Sequence, residues 1–531
     1  MCRVLVSRFV SDGPPDRARE RRLWWWLFGF LAAVLLAWAL ETPLLAGTDE
    51  PSHAIRAEAM VRGQLVGDRL LKVGGIPIAS YVRVPEAFRH SNRSDCFEVN
   101  PNRTPACSPP FRGGGHLVRA ITNQYRSPPA YYAIVGLPTL VFPAAAGVYL
   151  MRVLGAIACA ALLASALLSA RQLRHGGLVV AAILAAMTPE AFHLGGLVNA
   201  NGLEIAAAIC VWSTVAAIVL GPTEPSRRLV TRGGVALVVL ILARGLSPLF
   251  AVVAVVAVVA LGERERLFAL VRHTDVRGWL LGAVGAGIVA AAWLLYIKVE
   301  YPLDRPGSGV PHALDQTPRY LREAVGVFSF RSSGVFNQQD ISLPTVVYVA
   351  WAVAIGLLVV AALAVATRRQ AVTLLALIGS GFTLPVLVEG LNVPPIGVPW
   401  VGRHGLPLLA GIPIVAAAII TMHQGSATRA RRLRPVGLSV LVLVVAGQIF
   451  AFGAAVQRWA VGSNGSANPI RFLFDPGWSP PIPSASLLAL LLGGIAGLAV
   501  FAVDSLRPEA ARTDPSPPPA AARPITRATT N

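Results

Sequence analysis

Long apolar runs recur along this sequence and constrain its fold more than any other feature. A helix that crosses a bilayer needs about 20 consecutive apolar residues, because the hydrocarbon core is about 30 Å thick. Runs of this kind lie at residues 23–45, 128–150, 152–170, 176–196, 203–221, 233–262, 278–297, 343–366, 371–390, 404–421, 436–455 and 485–503. The run 233–262 is broken at Arg244-Gly245 and can form two helices. We therefore predict an all-α integral membrane protein with about 12–13 transmembrane helices.

The charged residues support the same class. They make up 14% of the 531 residues, against about 25% in an average soluble domain. The net charge of +19 comes mostly from short basic clusters between the apolar runs, as expected of cytoplasmic loops. The clusters are Arg17–Arg22, Arg171 with Arg174, Arg227–Arg232, Arg264–Arg277, Arg368 with Arg369, and Arg429–Arg434. We read this charge as membrane topology and not as nucleic-acid binding.

These clusters divide the chain into a cytoplasmic segment 1–22, a multi-pass domain 23–504 and a disordered tail 505–531 rich in Pro, Ala and Arg. The loops 47–127, 298–341, 391–402 and 456–483 then lie outside, and 47–127 is a large first extracytoplasmic loop. One conflict remains in 128–170. This segment must cross an odd number of times, yet it holds two apolar runs, so one run is short, tilted or re-entrant.

Two cysteines, Cys96 and Cys107, fall in the loop 47–127. An extracytoplasmic loop is an oxidising environment, so a disulfide between them is expected, with two free thiols as the alternative.

The first candidate site directly follows the first apolar run, in Gly47-Thr48-Asp49-Glu50-Pro51-Ser52-His53. Residues 49–62 are predicted to form a short amphipathic helix, capped by Thr48 and ended by Gly63. Asp49, Glu50 and His53 are candidate catalytic residues because they lie at the membrane surface, where a base can meet a lipid-linked substrate. The alternative is structural, since the helix dipole favours acidic residues at a helix start.

Two further polar groups adjoin apolar runs. Tyr131 and Tyr132 follow Ser127-Pro128-Pro129-Ala130, and Glu190 and Asn199 interrupt the runs 176–196 and 203–221. Ionisable and polar groups at membrane depth are costly and suggest substrate binding. The alternatives are an aromatic anchor at the membrane interface and a hydrogen-bonded turn.

Arg403 and His404 lie in Gly402-Arg403-His404-Gly405-Leu406-Pro407-Leu408. In the predicted topology Arg403 lies at the outer end of its helix, where the positive-inside rule disfavours it. A guanidinium there suits an anion such as a lipid phosphate. The alternative is an arginine whose side chain extends to the membrane surface.

These segments together resemble a bacterial family of multi-pass membrane proteins of unknown function, which is itself similar to the GT-C class of polyprenyl-phosphate-sugar glycosyltransferases. The likeness rests on Thr48 to His53, Ser127 to Tyr132, Asn199 to Glu204 and Gly402 to Leu408, and it covers most of the chain. One residue departs from the pattern, because His404 stands where a Tyr is expected.

The resemblance implies a GT-C-like fold whose first outer loop carries short juxtamembrane helices and an acidic residue that serves as base or metal ligand. That residue corresponds to Asp49, with Glu50 beside it, and these two are the ligands if a divalent cation binds. The implied partners are the bilayer, a polyprenyl-phosphate-linked sugar and an envelope glycan or lipid acceptor. The implied location is the bacterial plasma membrane, with the site facing outside.

Two other functions fit the same composition. A flippase of lipid-linked saccharides predicts repeated halves and ionisable groups near mid-membrane, and neither is evident in the sequence. A non-catalytic envelope assembly protein predicts that Asp49 and Arg403 can be replaced without loss. The sequence has no P-loop and no HExxH motif, which argues against an ATP-driven pump and a zinc protease.

Overall fold

The computed structural model describes residues 17–507, except for 74–75, 90–94, 99, 101, 112, 143, 174, 301–308, 316, 319–327, 331–338, 342, 344, 393–399 and 424–426. The predictions made for residues 1–16, for the tail from 508 onwards and for most of the loops 298–341 and 391–402 lie outside the described residues.

The described helices, numbered in chain order, account for most of the chain. They are α1 Arg17–Glu41, α2 Glu50–Val61, α3 Asp95–Glu98, α4 Pro129–Val135, α5 Ala145–Ala170, α6 Gly177–Ala186, α7 Pro189–Gly195, α8 Ala200–Leu220, α9 Arg227–Ala243, α10 Ser247–Val259, α11 Arg264–Arg272, α12 Thr274–Glu300, α13 Val310–Asp315, α14 Thr345–Leu363, α15 Arg368–Asn392, α16 Leu406–Leu409, α17 Gly411–Met422, α18 Ala427–Val461, α19 Pro469–Phe474 and α20 Ser484–Ser505. The strands are β1 Arg69–Val73, β2 Ile76–Pro85, β3 Leu117–Thr122, β4 Phe328–Phe330 and β5 Gln339–Ile341.

Within the described ranges, 9 helical segments are long and apolar enough to cross a bilayer, with mean hydropathy from 2.0 to 2.6. These are α1, α5, α8, α12, α14, α15, the segment Gly402–Met422, α18 and α20. The helices α6 and α7 pass the same test only as a pair and are bent by 68° at their break, as in a broken span or a re-entrant loop. The predicted class, a multi-pass membrane protein built from α-helices, is confirmed.

The run 233–262 is one of three predicted runs that do not form a full-length crossing helix, together with 128–150 and 176–196. It folds as α9 and α10, which have 17 and 13 residues and meet at Arg244. Arg232 near the start of α9 pairs with Glu20 of α1, and Leu261 just after α10 accepts a hydrogen bond from Arg369. The start of α9 and the end of α10 therefore lie at the same end of the bundle, which we call the basic end. The two helices form a hairpin.

The segment 128–170 crosses only once. Its first apolar run forms the 7-residue α4 and a 3₁₀ turn at Leu137–Leu140, neither of which is long enough to span a bilayer. Only the 26-residue α5 meets that length. Ile134, Val141 and Phe142 are 62%, 72% and 48% exposed, so the short segment presents apolar side chains outward, as a helix lying in the membrane surface does. The conflict in the predicted topology is thereby removed.

The loop 47–127 lies at the opposite end of the bundle, which we call the loop end. It contains α2 and a three-stranded antiparallel sheet in the order β1-β2-β3, which the sequence analysis did not anticipate. Cys96 and Cys107 form a disulfide in this loop. Arg458 of α18 donates to the carbonyls of Phe97 and Arg103, so the loop is bound to the helices beneath it.

Arg152 of α5 caps the C-terminal end of α1, the helix that leads into this loop. The last carbonyls of a helix have no partner within the helix, and in a membrane no water replaces it. Arg152 Nη1 donates to the carbonyls of Ala39 and Thr42 at 2.7 Å, and Nη2 donates to that of Pro43 at 2.8 Å. The guanidinium therefore caps the C-terminal end of α1.

The remaining donors of Arg152 bind Glu50 at the start of α2. Nε and Nη2 lie 2.7 and 2.6 Å from the two carboxylate oxygens, and both side chains are fully buried. Oε1 of Glu50 also accepts from the backbone N–H of Val198, at 3.0 Å. At Gly47 a Cβ atom would lie 2.2 Å from a methyl group of Leu197, so any larger residue there would require that side chain to shift. Arg152 and Glu50 thus fix α1, α2, α5 and the turn before α8 relative to one another.

Glu50→Gln should destabilise the protein by about 3–5 kcal/mol, because it leaves the Arg152 charge buried without its counter-ion. The midpoint of thermal denaturation in detergent measures this effect. Asp68→Asn is the matched control, because Asp68 and its partner Arg83 are 50% and 70% exposed at 3.6 Å and contribute at most about 1 kcal/mol. Equal midpoints for Glu50→Gln and Asp68→Asn would contradict the assigned role.

Candidate functional site

Two residues that the sequence analysis selected separately, Asp49 and Arg403, form an ion pair. Nη2 of Arg403 donates to Oδ2 of Asp49 at 2.6 Å, across 354 residues of chain. The side chain of Arg403 is 6% exposed and that of Asp49 is 15% exposed. The pair is therefore nearly buried, and its carboxylate side is the more exposed.

Asp49 is held in this position by its backbone. It is the N-cap residue of α2 and has a left-handed conformation, with φ 58°. Such a conformation costs on the order of 1–3 kcal/mol outside glycine, although Asp tolerates it better than most residues. The prediction that Thr48 caps this helix was wrong, because α2 has no side-chain cap among the described residues and Thr48 precedes the cap position. The carboxylate of Asp49 is therefore directed to Arg403 and not to its own helix.

Arg403 lies in a 3₁₀ turn, Gly402–Gly405, that leads into α16. Trp212 of α8 fixes the next turn by donating from Nε1 to the carbonyl of Pro407 at 2.9 Å. His404 is half-buried, and its ring packs edge-on against Trp400 at a centroid distance of 5.6 Å. The turn therefore presents Arg403 to Asp49 from a rigid helical base.

His53 lies beside the ion pair and is paired with a tyrosine. Its Nδ1 lies 2.7 Å from the hydroxyl of Tyr132, and the two rings are stacked. Burial lowers the pKa of His53 well below 6.5, and the positive charges of Arg244 and Arg403 lower it further. Burial also raises the pKa of Tyr132 to about 12. The imidazole is therefore neutral at neutral pH, and two guanidinium groups are close enough to act on it.

Tyr131 and Tyr132 are 5% and 0% exposed, so they do not anchor the protein at a membrane interface. Tyr132 is joined to His53, and the hydroxyl of Tyr131 has no hydrogen-bond partner in the part of the chain that the structure describes. The prediction that both bind substrate therefore applies to two buried rings, which pack edge-on against each other next to His53.

Asn199 and Glu190 occupy different places. Asn199 caps α8 through the N–H of Asn201, and its Nδ2 donates to the carbonyl of Thr48 at 2.9 Å. It therefore supports the residue before Asp49. Glu190 is buried on the first turn of α7.

A second charged cluster surrounds Arg244 and was not evident from the sequence. Nη1 of Arg244 lies 3.5 Å from Oε2 of Glu204, and the side chains are 24% and 2% exposed. The hydroxyl of Ser247 donates to Oε1 of Glu204 at 2.6 Å and accepts from the N–H of Arg244. The available signal was the position of Arg244, which interrupts an apolar run at the tip of the α9–α10 hairpin.

Each of the two adjacent carboxylates is bound by an arginine. Arg152 binds both oxygens of Glu50, and Arg403 binds Asp49. In the described ranges, no group of three or more His, Cys, Asp or Glu side chains could hold a metal ion. We therefore assign no step to a divalent cation, and Glu50 has a structural partner that the sequence did not reveal.

The His53 pKa gives a pH dependence of stability. Between 6.5 and the lowered pKa, the unfolded chain binds a proton that the folded protein does not, so stability falls as pH falls through this window. The contribution is about 1.4 kcal/mol per pH unit. His53→Gln should reduce the fall in thermal midpoint between about pH 7 and pH 5. The exposed His116 supplies the control variant His116→Gln, and equal slopes for both variants would contradict the assignment.

Comparison with solved structures finds ArnT from Cupriavidus metallidurans bound to undecaprenyl phosphate, at 16% identity over 91% of this chain and 77% of that chain, with a TM-score of 0.39. The apo state of the same protein matches at 15% identity over 90% and 77%, also with a TM-score of 0.39. Likeness at this level carries no argument about fold or function. No curated protein matches the chain.

The family comparison is more informative. A model of predicted membrane proteins, DUF2142, matches residues 31–412. The matched range is well over half of the chain and contains Asp49, His53, Arg152, Arg244 and Arg403. This protein therefore belongs to the DUF2142 family of predicted membrane proteins.

Proposed function

We propose that this protein is a membrane glycosyltransferase that transfers a sugar from a polyprenyl-phosphate donor to an envelope acceptor. The ion pair between Asp49 and Arg403 is the observation that carries the proposal. It joins a candidate base and a candidate phosphate ligand, which are the two groups that this reaction needs side by side. The resemblance of the surrounding segments to the GT-C class supports the same chemistry.

The reaction forms one bond and breaks one bond at the anomeric carbon of the sugar. The acceptor hydroxyl oxygen attacks this carbon, and its proton passes to the carboxylate of Asp49. The bond to the polyprenyl phosphate breaks, and the phosphate leaves with the electron pair. Arg403 stabilises the negative charge that develops on the phosphate, so a strong general acid is not needed.

The ion pair also suggests how the base is kept inactive before the donor binds. In the absence of a donor, Arg403 neutralises Asp49 and holds it near the surface. A phosphate competes with the carboxylate for the same guanidinium, because both are oxyanions that arginine binds through its N–H groups. Donor binding then releases Asp49 to accept a proton.

The neighbouring residues have supporting roles in this proposal. Glu50 acts through Arg152 and sets the position of the Asp49 backbone. His53, neutral and held by Tyr132, supplies a polar wall for the acceptor or the sugar. Neither is required to exchange a proton with the substrate.

The site lies at the loop end, and the arginines that pair with Glu20 lie at the basic end. Under the positive-inside rule the basic end faces the cytoplasm. The proposed active site then faces the outside of the bacterial plasma membrane, where polyprenyl-phosphate sugars meet envelope acceptors.

Asp49→Asn should abolish sugar transfer, a loss of about 100-fold or more, because the amide cannot accept the proton of the acceptor hydroxyl. The measurement is transfer from a panel of polyprenyl-phosphate sugars by the full-length protein in proteoliposomes. Asp68→Asn changes an exposed carboxylate of the same loop and serves as the matched control.

The outcomes separate the proposed function from its alternatives. Transfer by Asp49→Asn at the wild-type rate would remove Asp49 as the base. Movement of the donor across the bilayer without transfer, by wild type and variant alike, would indicate a flippase. Neither transfer nor movement with any donor of the panel would favour a non-catalytic assembly protein.

A further inference from the structure

The arginines of the loop end differ in how many of their guanidinium N–H groups form hydrogen bonds. A guanidinium has five N–H donors. In Arg152 all of them bind carbonyls or Glu50, and the side chain is fully buried. Such a saturated arginine has a structural role and cannot bind a ligand without losing a partner.

Arg244 and Arg403 are the opposite case. Arg403 donates one side-chain hydrogen bond, to Asp49, among the described residues. Arg244 has only the 3.5 Å ion pair with Glu204 in the same described part, and its side chain is 24% exposed. Most of their N–H groups therefore remain available to an acceptor. Glu204, the partner of Arg244, lies near the start of α8, and the cap residue Asn199 of that helix donates to the carbonyl of Thr48, next to Asp49. The two guanidinium groups therefore face one region, and both charges act on the ring of His53.

An apolar cavity of about 340 Å³ lies beside the last turn of α9, the turn that Arg244 follows. It opens between α4, α9 and α12, and its wall includes Leu242, Pro128, Ala130, Trp293 and Tyr296. Leu242 is only two residues before Arg244 on the chain. The volume lies in the range of about 300–1,000 Å³ that is usual for ligand sites.

The wall of this cavity is apolar, and its surroundings are suited to lipid. The indole N–H of Trp293 is used internally, because it donates to the carbonyl of Arg126 at 3.0 Å. On α12, Val289 and Leu295 are 61% and 62% exposed, and this helix has the smallest buried share of the spanning helices that the structure describes. A hydrocarbon chain can therefore enter from the membrane, whereas a water-soluble sugar phosphate would gain nothing from such a wall.

We propose that Arg244 and Arg403 together bind the phosphate of a lipid-linked ligand whose hydrocarbon chain occupies the cavity between α4, α9 and α12. This inference rests on the proposed function and adds the residue that receives the donor and the route by which it arrives. Glu204 is then the resting partner of Arg244, as Asp49 is of Arg403. Two guanidinium groups suit a phosphate, which carries several acceptor oxygens.

The test uses full-length protein, with lipid binding measured by native mass spectrometry and no acceptor present. The probes are a polyprenyl monophosphate, the matching polyprenol and inorganic phosphate. Arg244→Gln should weaken binding of the polyprenyl phosphate by about tenfold or more and leave polyprenol binding unchanged. Arg244→Lys, which keeps the charge, should fall between this variant and wild type. Arg232→Gln, which removes an arginine of the basic end, is the control.

The cavity is tested by Ala290→Trp, which fills it from α12. Binding of both the polyprenyl phosphate and the polyprenol should fall by about tenfold, because the chain loses its apolar contacts. Ala291→Trp places the same ring on the exposed side of that helix and should bind both lipids like wild type.

Four results would overturn the inference. The first two are the absence of polyprenyl phosphate binding by wild type, and binding of this lipid by Arg244→Gln with the wild-type affinity. The other two are equal affinities of Ala290→Trp and Ala291→Trp for the lipid, and full displacement of the lipid by equimolar inorganic phosphate. Binding does not require turnover, so failure of sugar transfer leaves this test intact. Conversely, sugar transfer with wild-type lipid affinity in Arg244→Gln would sink the inference and leave the proposed function standing.

Discussion

The need to satisfy polar backbone groups where water is absent governs the architecture around the site. The first helix ends with carbonyls that have no partner of their own, and a single buried guanidinium, that of Arg152, supplies the donors. The remaining N–H groups of Arg152 bind Glu50, so the residue that caps the end of α1 also fixes the start of α2. Asp49 precedes Glu50 and inherits this fixed position. The geometry of the candidate base is therefore a consequence of how the first membrane helix ends.

The residues of the site could be selected from the sequence, but their connections could not. Asp49 and Arg403 stood out because charges beside apolar runs are costly and need a reason. Their pairing was invisible because they are 354 residues apart and no local pattern links them. Glu50 looked equivalent to Asp49, yet its partner is a lone arginine inside an apolar run. Which of two adjacent carboxylates remains available is decided by tertiary packing alone.

The fold shows the same division between local and non-local information. Run length predicted the membrane class correctly, because helix length follows directly from bilayer thickness. It did not show where a run breaks, and the segments 128–150 and 233–262 both fold as shorter pieces. The sheet of the first loop was missed because its strands lie in a segment rich in Pro, Gly and Arg. The pairing of β1 with β2 is local, but β3 pairs with β2 over about 40 residues, for example Thr122 with Ser80.

The short hairpin of α9 and α10 has a mechanical consequence for the surrounding membrane. The helices α9 and α10 have 17 and 13 residues and are about 26 Å and 20 Å long, whereas the hydrocarbon layer is about 30 Å thick. We therefore expect the charged tip at Arg244 to lie below the surface that the longer neighbouring helices reach. A lipid headgroup that approaches the tip would then have to sink, or the leaflet beside α12 would have to become locally thin. Such a hairpin would couple the site to the thickness and stiffness of the membrane.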